Sequence, residues 1–157
     1  MCIRDSRYTE ISEEYQEVVD RLTAKHKSAA DHVPQPIVTK AKNKTKYGVI
    51  AIGSSDCAVK EACAKLAKDG VDLDYMRIRA FPFPQSVEDF IMEHEAVFVI
   101  EQNRDAQLMN LLLTETSVPR ESLVSITYYA GQPLGFRFVR QALLDEIATL
   151  SKRRKSA

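Results

Sequence analysis

Five consecutive apolar residues, Ala96-Val97-Phe98-Val99-Ile100, run directly into Glu101-Gln102-Asn103-Arg104-Asp105-Ala106-Gln107. An unbroken apolar run of this length fits a strand covered on both faces, and such strands belong mainly to parallel sheets flanked by helices. The rest of residues 47–150 fits that frame. Val49-Ile50-Ala51-Ile52 is a second apolar run ending in Gly53-Ser54-Ser55, where Ser55 or Asp56 is suited to cap a helix. Val59, Ala62, Cys63, Leu66 and Ala67 then share one helical face, and Gly70 stops it.

Residues 71–78 alternate apolar and polar, which predicts a strand covered on one face. A proline-rich loop follows. Ser86-Val87-Glu88-Asp89 then has capping-box spacing and opens a short helix burying Val87, Phe90 and Ile91. Residues 104–115 predict a helix with Leu108, Leu111 and Leu112 inward. Residues 123–128 predict a strand. Residues 135–150 predict a long helix burying Val139, Ala142, Leu143, Ile147 and Leu150. The order β-α-β-α-β-α-β-α implies a mainly parallel sheet with right-handed crossovers and helices on both faces. Such sheets carry function on the loops beyond the carboxyl ends of their strands. Those loops are residues 53–56, 79–85, 101–104 and 129–133.

The chain divides by pattern into a leader at 1–6, a helix with a proline-containing connector at 7–46, an α/β domain at 47–150 and a basic tail at 151–157. Met1-Cys2-Ile3-Arg4-Asp5-Ser6 resembles a leader of non-biological origin at the ends of translated assemblies. A natural protein extending further toward its N-terminus is the expectation. Within residues 10–31, Ile11, Tyr15, Val18, Val19 and Leu22 share a face at helical spacing, with Glu13, Glu14 and Glu17 early and Lys25 and Lys27 late. So thin a stripe implies a helix lying against something else. Pro34 and Pro36 end it, and residues 39–46 read as a polar, basic connector.

Charge narrows the function classes. The net charge is zero, but residues 47–150 carry nine basic and fifteen acidic groups. An acidic body argues against a nucleic-acid surface. Lys152-Arg153-Arg154-Lys155 suits the negative end of a helix dipole. No apolar run reaches the ~20 residues that span a bilayer. The cysteines Cys2, Cys57 and Cys63 form no disulfide framework, so a cytoplasmic location is expected.

Chemistry-bearing motifs are few. Gly53-Ser54-Ser55 opens a helix whose N–H groups suit an anion, but neither G-x-G-x-x-G nor G-K-[ST] is present, and ordinary helix capping is the preferred reading. Cys57 and Cys63 point to different sides of one helix and read as small core residues. His26, His32 and His94 show no ligand spacing and read as surface residues. Tyr128-Tyr129 suits a ligand-facing ring or packing. For residues 101–107 two readings stand side by side. In one, Asn103 or Asp105 caps the next helix and Arg104 is solvated. In the other, Glu101 and Arg104 fix a neighbouring domain or subunit.

Four blocks together carry a family resemblance: Val49-Ile50-Ala51-Ile52-Gly53-Ser54, Tyr75-Met76-Arg77-Ile78-Arg79-Ala80-Phe81-Pro82-Phe83, Val99-Ile100 with Glu101 to Gln107, and Tyr128-Tyr129-Ala130-Gly131-Gln132-Pro133-Leu134. With their spacing they resemble the α subunit of 2-oxoglutarate or 2-oxoacid:ferredoxin oxidoreductases over residues 47–147. The resemblance implies a three-layer αβα domain of transketolase C-terminal type, around a five-stranded, mostly parallel sheet. One antiparallel strand is part of that implication, although the residue patterns above do not produce it. It further implies a parent enzyme that decarboxylates a 2-oxoacid on thiamine diphosphate, passes electrons through an iron–sulfur cluster to ferredoxin and forms an acyl-coenzyme A.

By the same resemblance, thiamine diphosphate, magnesium and the cluster belong to the β subunit, and no catalytic, cofactor or metal residue is expected in this chain. The expected partners are that β subunit, the remainder of the α subunit and, through the complex, ferredoxin. Gly53, Ser54, Arg79, Phe81, Pro82, Phe83, Glu101, Asn103, Arg104 and Asp105 are the candidates for a domain or subunit boundary. The block at 101–107 looks closer to 2-oxoglutarate and general 2-oxoacid enzymes than to pyruvate ones. Two other readings compete: a stand-alone partner-binding module, and the C-terminal domain of a transketolase or of a 2-oxoacid dehydrogenase β subunit.

Overall fold

A computed structural model describes residues 8–155; the leader assigned to residues 1–6 lies outside them. The elements are α1 (Ser12–Ala29), β1 (Ile37–Thr39), β2 (Tyr47–Ile52), α2 (Ser55–Lys68), β3 (Asp74–Ile78), α3 (Gln85–Met92), β4 (Ala96–Glu101), α4 (Gln107–Glu115), a 3-10 turn (Arg120–Ser122), β5 (Leu123–Thr127) and α5 (Phe136–Lys155). One five-stranded sheet has the order β1-β3-β2-β4-β5. β2, β3, β4 and β5 pair in parallel, and β1 is antiparallel to β3. The mostly parallel αβα architecture is the one expected.

Side-chain alternation along the central strands builds two cores. Val49 and Ala51 of β2 and Phe98 and Ile100 of β4 meet Val59, Ala62 and Leu66 of α2 and Val139 and Leu143 of α5. Ile50, Val97 and Val99 face the other way, against Val87, Phe90 and Ile91 of α3 and Leu108, Met109 and Leu112 of α4. Every residue of β4 is buried, as the apolar run demanded. Gly70 adopts φ +82°, and the N–H groups of Gly70 and Val71 close the end of α2 on Ala67 and Leu66.

Several expectations are corrected. The strand placed at 71–78 starts only at Asp74 and is buried on both faces except at Arg77, because β1 flanks it and helices lie above and below. β1 falls where a connector was expected; its three exposed residues are too few to show a period. The capping expectations at Ser55, Asp56 and Ser86 fail. α2 and α3 start after Ser54 and Pro84 with no side-chain cap bond, and Ser55 and Asp56 are buried inside the first turn of α2. Cys57 is exposed, whereas Cys63 packs against the core. His94 is no surface histidine. It lies under the sheet's amino-terminal edge, its Nδ1 2.7 Å from the Phe90 carbonyl and its Nε2 3.2 Å from Asp74. Among the described residues, no helix is long and apolar enough to cross a membrane.

Candidate functional site

Parallel pairing of four strands aligns their carboxyl ends along one edge of the sheet, so the four loops singled out by topology share a rim. Gly53 turns the chain out of β2 with φ +63°, and a Cβ there would meet no atom within 4 Å. Ser54 precedes α2, and its Oγ accepts a hydrogen bond from Gln102 Nε2 at 2.9 Å. Gln102 Oε1 accepts the N–H of Leu134 at 3.2 Å. Gln102 therefore joins the loops after β2, β4 and β5. It went unselected because nothing about a lone glutamine signals a bridge.

The buried Glu101 ends β4. Its Oε2 accepts the N–H of Leu108 at 2.7 Å, and its Oε1 that of Met109 at 3.1 Å. Asn103 Nδ2 donates to the same carboxylate, and Asn103 Oδ1 accepts the Gln107 N–H at 3.2 Å. These residues cap α4, whose first N–H groups have no partner within the helix. Ala106, in the left-handed conformation at φ 50°, delays the helix to Gln107, three residues later than the pattern suggested. Arg104 is exposed and pairs with its neighbour Asp105 at 2.7 Å. Asn103 thus caps as expected, whereas Asp105 contributes only a backbone carbonyl, to Asn110.

The remaining candidates lie after β3. Arg79 and Phe81 are exposed, while Pro82 and Phe83 are half-buried. The Phe81–Pro82 bond is cis. Phe81 meets Phe83 edge-on at 5.2 Å and His26 of α1 at 5.5 Å, which ties the end of α1 to the rim. Beyond β5, the Tyr128 ring packs on Phe138 at 4.9 Å while Tyr129 stands exposed. Ile52, Phe81, Tyr129 and Phe138 together leave apolar surface open around the rim.

Two charged clusters that the sequence did not reveal centre on Asp56 and Asp74. Asp56 accepts Tyr75 Oη at 2.8 Å and Lys60 Nζ at 3.0 Å, and pairs with Arg77 at 3.3 Å. Burial pushes the Asp56 carboxyl upward, but Lys60, Tyr75 and Arg77 outweigh it and hold the pKa below the ordinary value. Burial, and then the bond to Asp56, push the Tyr75 phenol upward. At the opposite edge, Asp74 takes the Ala41 N–H at 2.8 Å, Lys40 at 3.0 Å and His94. Burial again raises and these partners lower, leaving its pKa below the ordinary carboxylate range. A depression of about 430 Å³ opens beside this cluster, walled by Lys40, Lys42 and Lys44.

The rim thus presents apolar surface and hydrogen-bonding loops, and the buried carboxylate that ends β4 is committed to a helix cap. Residues 45–133, more than half of the chain, match the family described as pyruvate:ferredoxin oxidoreductase core domain II. The chain belongs to this family. Core domain II here has no match among curated proteins. Among solved structures it is similar to a 2-oxoglutarate:ferredoxin oxidoreductase from Magnetococcus marinus with 2-oxoglutarate, coenzyme A and succinyl-CoA bound. That likeness has a TM-score of 0.78 and 22% identity over 88% of this chain and 24% of that one. It is also similar to a split-gene transketolase, an inactive beta4 tetramer, with a TM-score of 0.53 and 17% identity over 71% of this chain and 40% of that one. At these identities the likenesses establish the fold, which is the transketolase-like one expected. This core domain II spans about a quarter of the length of the first of these relatives.

Proposed function

We propose that this chain is the C-terminal domain of the α subunit of a thiamine-dependent 2-oxoacid:ferredoxin oxidoreductase, and that it acts by docking rather than by chemistry of its own. The family match over residues 45–133 carries the reading. In the whole enzyme the bound thiamine diphosphate supplies the electron sink for decarboxylating a 2-oxoacid, 2-oxoglutarate by preference. The described residues do not fit the magnesium or the cluster: they contain no group of three or more His, Cys, Asp or Glu side chains placed to hold a metal, and Cys63 lies in the core packing. Those groups are assigned to the β subunit.

On this reading the carboxyl-end rim faces the β subunit or the rest of the α subunit in a cytoplasmic complex. Ile52, Phe81, Tyr129 and Phe138 supply the apolar contact, while Arg79, Arg104 and Asp105 supply directional charge at its border. Glu101 and Asn103 hold the loop in shape from beneath.

The test is turnover. The purified chain, given 2-oxoglutarate, coenzyme A, thiamine diphosphate, magnesium and a viologen dye, is expected to reduce no dye. Activity is expected only when the complementary parts of both subunits are supplied. Turnover by the chain alone overturns the proposal.

A further inference from the structure

Residues 47–150 carry nine basic side chains against fifteen acidic ones. Several of the nine have partners close by. Lys60 and Arg77 are held by Asp56, Arg104 by Asp105 and Arg120 by the Leu123 carbonyl, while Arg79 stands exposed after β3. The other four converge. Lys65 and Lys68 of α2 and Arg137 and Arg140 of α5 line one depression of about 460 Å³, with Phe136 in its wall. Ligand clefts commonly measure ~300–1,000 Å³.

Charge in this depression is not balanced. Asp69 is the carboxylate in its wall, and Arg140 takes it at 2.7 Å. Among the described residues, Lys65, Lys68 and Arg137 have no carboxylate partner. Lys65 and Arg137 instead meet the same ring, that of Phe136, at 6.0 and 5.9 Å. A ring offsets only part of a cation's charge. Two cations drawn to one ring repel each other, and an anion seated between them relieves that repulsion. Lys65, Lys68 and Arg137 are all exposed, so an anion reaches them without displacing a residue.

The surroundings select the size of that anion. The body is acidic as a whole, so a nucleic acid or a broad acidic surface is repelled wherever it extends past the depression. A compact anion stays among the cations. Adjacent phosphate groups suit them best, because they concentrate several charges in a small volume and Arg binds phosphate oxygens through two parallel N–H bonds.

We propose that the depression between α2 and α5 binds a small ligand bearing a diphosphate group, held by Lys65, Lys68 and Arg137. None of these residues belongs to the docking rim, so the site is additional to the function proposed above.

Calorimetric titration of inorganic pyrophosphate into the 157-residue chain, in magnesium-free buffer of low salt, is expected to show one site with a dissociation constant on the order of 100 μM. Affinity should fall as sodium chloride is raised. Lys68→Glu and Arg137→Glu should each weaken binding by roughly tenfold or more. Arg137→Lys, which keeps the charge and loses the fork, should weaken it by only about threefold. Lys42→Glu makes the same change of charge on the loop before β2 and should leave affinity within about twofold. Urea unfolding checks that each variant is folded. ADP is the second probe. Equal affinity for ADP and pyrophosphate identifies a free diphosphate as the ligand, and several-fold tighter ADP identifies a nucleotide whose base rests on Phe136. Failure of both probes to bind at millimolar concentration overturns the proposal. So does a Lys42→Glu loss as large as that of Lys68→Glu, which reduces the effect to general attraction. A polyglutamate peptide that binds where pyrophosphate does not overturns it too and assigns the cations to an acidic protein. The rim-docking reading is judged separately by turnover.

Discussion

Glu101 and Leu108 are joined by a 2.7 Å hydrogen bond from the Leu108 N–H to the buried carboxylate that ends β4. The last residue of the central strand thereby caps the helix that follows it. Removing the carboxylate leaves the N–H groups of Leu108 and Met109 buried without acceptors, together with a small void. Glu101→Ala is expected to destabilise the domain by about 2–4 kcal/mol, read from the midpoint of urea unfolding. Glu101→Gln should cost less, since its carbonyl oxygen still accepts one of the two. Equal stability of the alanine variant and the parent would refute this account of the cap.

Gly48 of β2 sits where a side chain has no room. A Cβ there would lie 2.9 Å from Phe90 Cε1 and 3.2 Å from His94 Nδ1. Neither ring can retreat easily, since Phe90 is core and His94 is held at both nitrogens. Gly48→Ala should therefore destabilise by about 1–3 kcal/mol. At Gly53 and Gly70 the same Cβ would meet open space, so any cost of Ala there comes from positive φ instead. Unfolding of the three variants side by side separates the two mechanisms.

Asp56 and Asp74 both have carboxyl pKa values held below the ordinary one. A depressed folded-state pKa stabilises the fold fully above the unfolded value of about 4 and loses that stabilisation as pH falls through the folded value. Stability should accordingly stay level from pH 7 to about pH 5 with respect to these two groups, then decline toward pH 2. Asp74→Asn should lower stability at pH 7 and flatten the acid limb. Chemical unfolding across that range gives the slope, and an acid limb unchanged in Asp74→Asn would contradict the assignment.

The two described cysteines should react at very different rates. Cys57 is exposed, while burial pushes the Cys63 thiol up to about 12, which leaves almost no thiolate at neutral pH. In a Cys2→Ser background, iodoacetamide at pH 8 is expected to modify one thiol quickly and the second only on unfolding. Peptide mapping by mass spectrometry should place the fast adduct on Cys57.

The alternation of apolar runs with helical faces was legible because β2, β3 and β4 each bury several consecutive residues and each intervening helix carries a face of its own. The carboxyl-end rim followed from that order alone. β1 was not legible. Its Ile37, Val38 and Thr39 are all exposed, and they follow two prolines that look like a stop. His94 was misjudged because burial of a lone histidine depends on Asp74, twenty residues earlier, coming to meet it. The start of α4 was missed because alanine gives no hint of the left-handed turn at Ala106. Of the rim candidates, Asn103 and Glu101 sit together, as do Arg104 and Asp105, and Phe81 and Phe83. Gln102, which links three loops, carried no mark in the sequence.

β1 has only three residues, but it decides where this domain can be cut. It pairs with β3 through Ile37, Val38 and Thr39, and the chain runs on into Lys40 and Ala41, which hold Asp74. A shortened protein starting at Tyr47 would expose the flank of β3 as a bare row of amide and carbonyl groups, a template for edge-to-edge aggregation. It would also leave the Asp74 carboxylate with His94 but without Lys40 or the Ala41 N–H. Proteolysis that spares the folded unit should therefore stop before Pro36, and soluble expression should fail abruptly once trimming passes it.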